Sequence, residues 1–173
     1  MKRFGAAGIG LLLVACSSAP AASPPAATTP TPRASQAAAG LELQPLEDGT
    51  PLERPEAGIG MAFDDSGAVA MIEPPPQIDY SERAVVCVYL GRRTGRWTLD
   101  LQSATLDGKT LEIAARERPP RQPTGDATLP AACATISRTA LPTGQLKVTA
   151  HDTVSDEFIT EGSVEVPPVA GGS

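Results

Sequence analysis

Residues 84–118 read AVVCVYLGRRTGRWTLDLQSATLDGKTLEIAARER, and two patterns in this stretch decide the fold. The run AVVCVYL (84–90) is apolar at every position, which suits a central strand covered on both faces. Beyond Gly91 the pattern becomes alternating. Trp97, Leu99 and Leu101 alternate with Thr98, Asp100 and Gln102, and Leu111, Ile113 and Ala115 alternate with Glu112, Ala114 and Arg116. A period of two marks a half-buried strand. The two runs flank Leu106-Asp107-Gly108 and read as a hairpin. A two-residue turn at Asp107-Gly108 would set Leu99 opposite Arg116 and spoil the apolar face, because one residue of slip turns every side chain over. A three-residue loop, Leu106-Asp107-Gly108, keeps the parity and places Gly108 in the left-handed conformation that such loops need. Thr105 then faces Lys109, Leu101 faces Ile113, Leu99 faces Ala115 and Trp97 faces Glu117.

On either side of the hairpin, further short apolar runs lie between turn signals. Strands are expected at 41–46, 58–63, 68–72, 84–90, 96–105, 109–117, 131–137, 145–150 and 163–166. Asp64-Asp65-Ser66-Gly67 reads as the turn joining the second and third. Helical periodicity is nearly absent, and prolines from Pro45 to Pro168 break the chain into short pieces. The expected class is all-β: a small antiparallel β-sandwich or partly open barrel over residues 41–168. Residues 169–173 read as a disordered tail.

The N-terminal part has a different character. Residues 17–39, SSAPAASPPAATTPTPRASQAAA, hold no large apolar side chain and cannot offset the entropy of folding. Their prolines favour extended stretches, so 16–39 reads as a tether whose 23 residues after Cys16 could reach about 70 Å when extended. Before it, Lys2 and Arg3 precede an apolar stretch, Ala6 to Val14, that is too short to span a bilayer. Residues 1–15 read as a signal peptide. Its end, Leu13-Val14-Ala15-Cys16, resembles the lipobox of bacterial lipoproteins. The resemblance implies a lipidated Cys16 at the start of the mature chain, anchored in the cell envelope by two or three acyl chains such as palmitate. Ser17, in place of Asp, implies the outer membrane where the envelope has two membranes.

Removing Lys2 and Arg3 from the 14 basic residues leaves 12 against 20 acidic, a formal charge of −8. That balance repels phosphate backbones and argues against nucleic acid as a partner. Two cysteines remain, Cys87 and Cys133. In an exported chain they either form a disulfide or serve as two small apolar side chains in strands.

The catalytic inventory is poor, and no enzymatic function is expected. His151 is the single histidine and sits beside Asp152 with Ser155 nearby, but a triad needs convergence in space rather than in sequence. His151 reads as a solvated loop residue. No cysteine and histidine spacing fits a zinc site, and Asp64, Asp65, Asp152 and Asp156 do not follow a calcium loop. No cofactor or metal is expected.

One feature does suggest binding. Arg92, Arg93 and Arg96 precede one hairpin strand, and Arg116, Arg118 and Arg121 end the other, so both groups gather at one end of the ribbon. Trp97 lies among them. Arginine and tryptophan are enriched in binding hot spots. Arg93, Thr94, Gly95, Arg96 and Trp97 are the candidate contact residues, and the positive charge suggests an acidic partner loop.

Residues 74–138 resemble the C-terminal domain of the protease complex subunit PrcB family. Asp79 and Tyr80 stand before an apolar strand that ends at Gly91. Thr94 and Gly95 lead to the aromatic Trp97 and an alternating strand. Pro119 ends the hairpin and Pro130 precedes the next apolar run. The sequence departs from the family at Gly95-Arg96-Trp97, where the family has Gly-Gly-Tyr. The resemblance implies a β-rich, non-enzymatic lipoprotein that binds an extracytoplasmic partner, a protease that it stabilises, and it brings no catalytic residues. The same loop partly resembles that of the chagasin-like protease inhibitors, whose Thr-Thr-Gly is matched in part by Arg93-Thr94-Gly95. Those inhibitors' Arg-Pro-Trp loop and second glycine-rich loop have no counterpart. Inhibition of a protease is the alternative function.

Overall fold

The computed structural model describes residues 38–46, 48–122 and 124–169. The expectations for the signal peptide, Cys16, most of the tether and the last four residues lie outside them. In the first half the elements are β1 (Ala39–Leu41), β2 (Gln44–Pro45), β3 (Thr50–Pro51), β4 (Ala57–Ala62), α1 (Asp65–Val69), β5 (Ile72–Glu73) and β6 (Arg83–Leu90). Then come β7 (Arg93–Thr94), β8 (Thr98–Asp107), β9 (Thr110–Arg118), β10 (Ala127–Thr128), β11 (Ala131–Ser137), β12 (Gly144–Asp152) and β13 (Phe158–Val166).

These strands form an all-β sandwich. One sheet has the order β1-β8-β9-β12-β13 and the other β2-β11-β6-β4, with two small pairs, β10-β7 and β3-β5, at the margins. Neighbours are antiparallel with one exception: β12 runs parallel to β9. The chain leaves β9, crosses to the second sheet as β11, and comes back as β12 beside the strand it left.

β6 occupies the middle of its sheet, between β11 and β4, and both of its faces are buried. Ala84, Val86, Val88 and Leu90 point into the main core, where they meet Leu111, Ile113, Leu146 and Val148 of the other sheet. Val85, Cys87 and Tyr89 point the other way, into a second cluster with Ala62, Ala68, Met71 and Ile72. The uninterrupted apolar run therefore reflects a third layer, formed by α1 and the segment after it. Sequence pattern assigned that layer wrongly, as a turn at 64–67 and a strand at 68–72. Asp64 instead caps a short helix, its carboxylate accepting from the Gly67 amide at 2.7 Å, and Ala68 is fully buried. An Asp at the N-cap satisfies an amide that would otherwise lack a partner.

The hairpin exists, but its register is neither that of a turn at Asp107-Gly108 nor that of a Leu106-Asp107-Gly108 loop. Asp107 pairs with Thr110 across Gly108-Lys109, and Leu106 pairs with Leu111. Gly108 has a φ of 58°, the positive value that the first central position of a tight II′ turn requires. A bulge at Gln102 then shifts the ladder by one residue, so Ala104 faces Ile113 while Leu101 faces Ala115 and Leu99 faces Glu117. The bulge reverses which parity points inward. Leu99 and Leu101 face the core before it, and Ala104 and Leu106 after it. Without the extra residue one of those pairs would point to solvent.

Cys87 and Cys133 are directly opposite on β6 and β11, with a Cα–Cα separation of 4.1 Å, and form a disulfide. The folded region also begins earlier than residue 41, since Ala39 already pairs with Leu106.

Candidate functional site

The segment after β7 turns sharply at Gly95, whose φ is +93°. Its amide donates to the Asp126 carbonyl at 2.6 Å, and its carbonyl accepts from the Thr128 hydroxyl at 2.6 Å. A Cβ here would come within 2.7 Å of the Pro120 ring, so the position admits only glycine without rearrangement. The turn delivers Trp97 to the end of the sandwich. The indole N–H donates to the Thr94 carbonyl at 3.1 Å, and the Arg93 guanidinium lies 6.0 Å from the ring centroid, within cation–π reach.

A second turn meets it. At the end of β12, the buried Asp152 carboxylate accepts from the amides of Glu117, Val154 and Ser155 and from the Ser155 hydroxyl. These bonds fix the 153–157 turn and attach it to β9. The turn then leads into Phe158, which is 55% exposed, while Val154 on its outer side is 72% exposed. Between the two turns lies a cleft of about 500 Å³, walled by Trp97, Arg93, Glu117, Glu157, Phe158 and Ile159.

The carboxylates here are tuned in opposite directions. Hydrogen bonds from the Glu117 and Ser155 amides lead the effects that lower Asp152 from 3.8 to about 2. Glu117 is pushed up, chiefly by burial and further by Asp152 and Glu157, against the pull of Arg93. Because Asp152 has a depressed value when folded, its stabilisation is complete above about pH 3.8 and disappears as pH falls through about 2. Glu117 has the reverse sign, so folding gains from its protonation as pH falls. Asp152→Asn should therefore destabilise the protein most at neutral pH, and the gap to the natural chain should narrow between pH 4 and 2 in urea titrations. A gap that stays constant over that range would contradict the assignment.

Of the residues singled out by sequence, Arg93 and Trp97 line the cleft. Thr94 and Gly95 build the turn beneath it, and Arg96 is exposed outside it. Of the arginines grouped by sequence at this end, Arg93 lines the cleft and Arg118 is paired with Asp100 at 2.7 Å. The half-buried His151 is a β12 residue, not a loop residue, and it packs edge-on against Phe158 with centroids 5.7 Å apart. The Ser155 hydroxyl bonds to Asp152, not to the imidazole, so these three residues do not form a relay. Among the described residues no group of three metal-ligating side chains converges. Glu117, Val154, Glu157 and Phe158 were missed. Phe158, a large apolar residue directly after an acidic turn, was the one available signal.

Fold and cleft together define a class: an all-β, two-sheet sandwich with an aromatic-lined cleft at one end. No family model, curated protein or solved structure matches the chain.

Proposed function

We propose that this chain is a non-enzymatic lipoprotein of the cell envelope, held by a lipid on Cys16, that binds an extracytoplasmic protein through the cleft at Trp97. One observation carries the binding reading. Val154 and Phe158 expose apolar surface beside a partly buried tryptophan, on turns held rigid by the Asp152 and Gly95 hydrogen bonds. Apolar side chains displayed together at a cleft rim mark interaction sites. The PrcB-like pattern over 74–138 supports a protease as the partner, stabilised by the complex. Inhibition of that protease is the alternative.

The test is affinity capture from detergent-solubilised envelopes, comparing the natural chain with Phe158→Ser and Val154→Ser. Both positions are exposed, so the fold should survive. The expected result is a protease recovered with its activity intact by the natural chain and depleted several-fold by the variants. Recovered but silenced protease would favour inhibition, and equal recovery by all three chains would exclude the cleft. Cys16→Ser should release the protein into the soluble fraction or leave its precursor uncut. Normal retention of that variant after a carbonate wash would overturn the lipid anchor.

A further inference from the structure

We propose that the cleft takes a cationic side chain, flanked by apolar residues, from the partner protein. This inference rests on the reading of the cleft as the partner surface and adds the chemistry of what enters it. The sequence alone suggested an acidic partner, because it brought arginines to this end. The folded arrangement reverses that sign. Three carboxylates border the cleft, Glu117, Asp152 and Glu157, against the single cation Arg93.

These carboxylates are not equivalent. Asp152 spends its oxygens on three amides and a hydroxyl, so it contributes a fixed negative charge but little further bonding capacity. Glu157 is exposed at the rim. Glu117 is half-buried and makes no ion pair among the described residues. Its neighbour Arg118, on the opposite side of the strand, is committed to Asp100. The Arg93 guanidinium is engaged over the Trp97 ring. Burial holds this half-buried carboxylate at an energetic disadvantage that the charge of Arg93, with no direct ion pair, offsets only in part. A cation delivered by a partner relieves it, while Trp97, Phe158 and Ile159 cover the aliphatic stem and neighbouring apolar residues. The net acidity of the whole chain, −6 by formal count, adds long-range attraction for a basic segment.

Trp97 is the single tryptophan, so its indole N–H resonance and its emission report on this cleft alone. The full chain in detergent is titrated with two blocked tripeptides, acetyl-Leu-Arg-Leu-amide and acetyl-Leu-Glu-Leu-amide. The arginine peptide should shift the Trp97 signals saturably and more tightly at low salt. Glu117→Gln should weaken it about tenfold, as expected for loss of one charge partner. The glutamate peptide should leave the signals in place. A response to the glutamate peptide alone, or an equal response to both, overturns the cationic occupant while leaving the cleft as a partner surface. Silence with both peptides also overturns it, and the capture comparison with Phe158→Ser then decides separately whether the partner reading stands.

Discussion

Replacing both Cys87 and Cys133 with alanine should lower the unfolding free energy by about 4 kcal/mol. The bridge spans 46 residues of sequence, and closing a loop of that size removes about this much conformational freedom from the unfolded chain. The effect should act mainly through the unfolded state. β6 and β11 pair along seven residue positions, from Ala131 opposite Tyr89 to Ser137 opposite Arg83, and that ladder survives without the sulfurs. Far-ultraviolet circular dichroism of the double variant should therefore stay native at low denaturant, while its urea midpoint falls sharply. A midpoint within experimental error of the natural chain would show that the bridge contributes nothing. Alkylation gives an independent check: the native chain should offer no thiol at either position until it is reduced.

The second large effect belongs to Arg138. Its side chain is 8% exposed, yet it makes no ion pair among the described residues. Its guanidinium donates instead to carbonyl oxygens of Phe63, Tyr80, Pro167 and Pro168, and lies 5.6 Å from the centre of the Phe63 ring. One side chain thus ties together the end of β4, the turn before β6 and the segment after β13. Arg138→Met keeps much of the volume but leaves those carbonyls without donors. Hydrogen bonds to a charged group contribute roughly 1.5–3 kcal/mol each, the two longer ones less, and burial of the charge offsets part of the sum. The expected net loss is about 3 kcal/mol in urea denaturation. Arg138→Lys should fall between the two, because an ammonium cannot reach the same acceptors as a planar fork. A loss below about 1 kcal/mol for Arg138→Met would mean that desolvation cancels the hydrogen bonds.

The strands that sequence located best are those whose apolar runs have sharp ends. Residues 131–137 match β11, and 84–90 match β6 to within one residue. The hairpin strands were also legible, but their register was not. The phase change from Leu99 and Leu101 to Ala104 and Leu106 is visible in the sequence, and a bulge is its physical meaning. Turn length alone fixes register only where the ladder is unbroken, and here it is not. α1 was hidden because five residues are too few to show a helical period, leaving the Asp64 cap as its main trace. The cleft was half legible. Arg93 and Trp97 lie close together in the chain and were found, but the carboxylates that give the site its sign come from β9, the end of β12 and the turn before β13. Proximity of Trp97 to Phe158 depends on the crossover, which no local pattern encodes.

That crossover also has a consequence for assembly. β9 cannot gain its second neighbour until the chain has passed through β11 and reached Gly144. A chain emerging from its N-terminus would hold the β8–β9 hairpin with one apolar face uncovered and one edge unpaired, while Leu146, Val148, Ala150 and Val166 are still to come. Long-range parallel pairing of this kind forms slowly, because the intervening loop must close before any contact rewards it. Unpaired edges invite association with other chains in the interval. The bulge at Gln102 lies where β1 does not cover β8, and it bends that edge out of the straight line on which a foreign strand could pair.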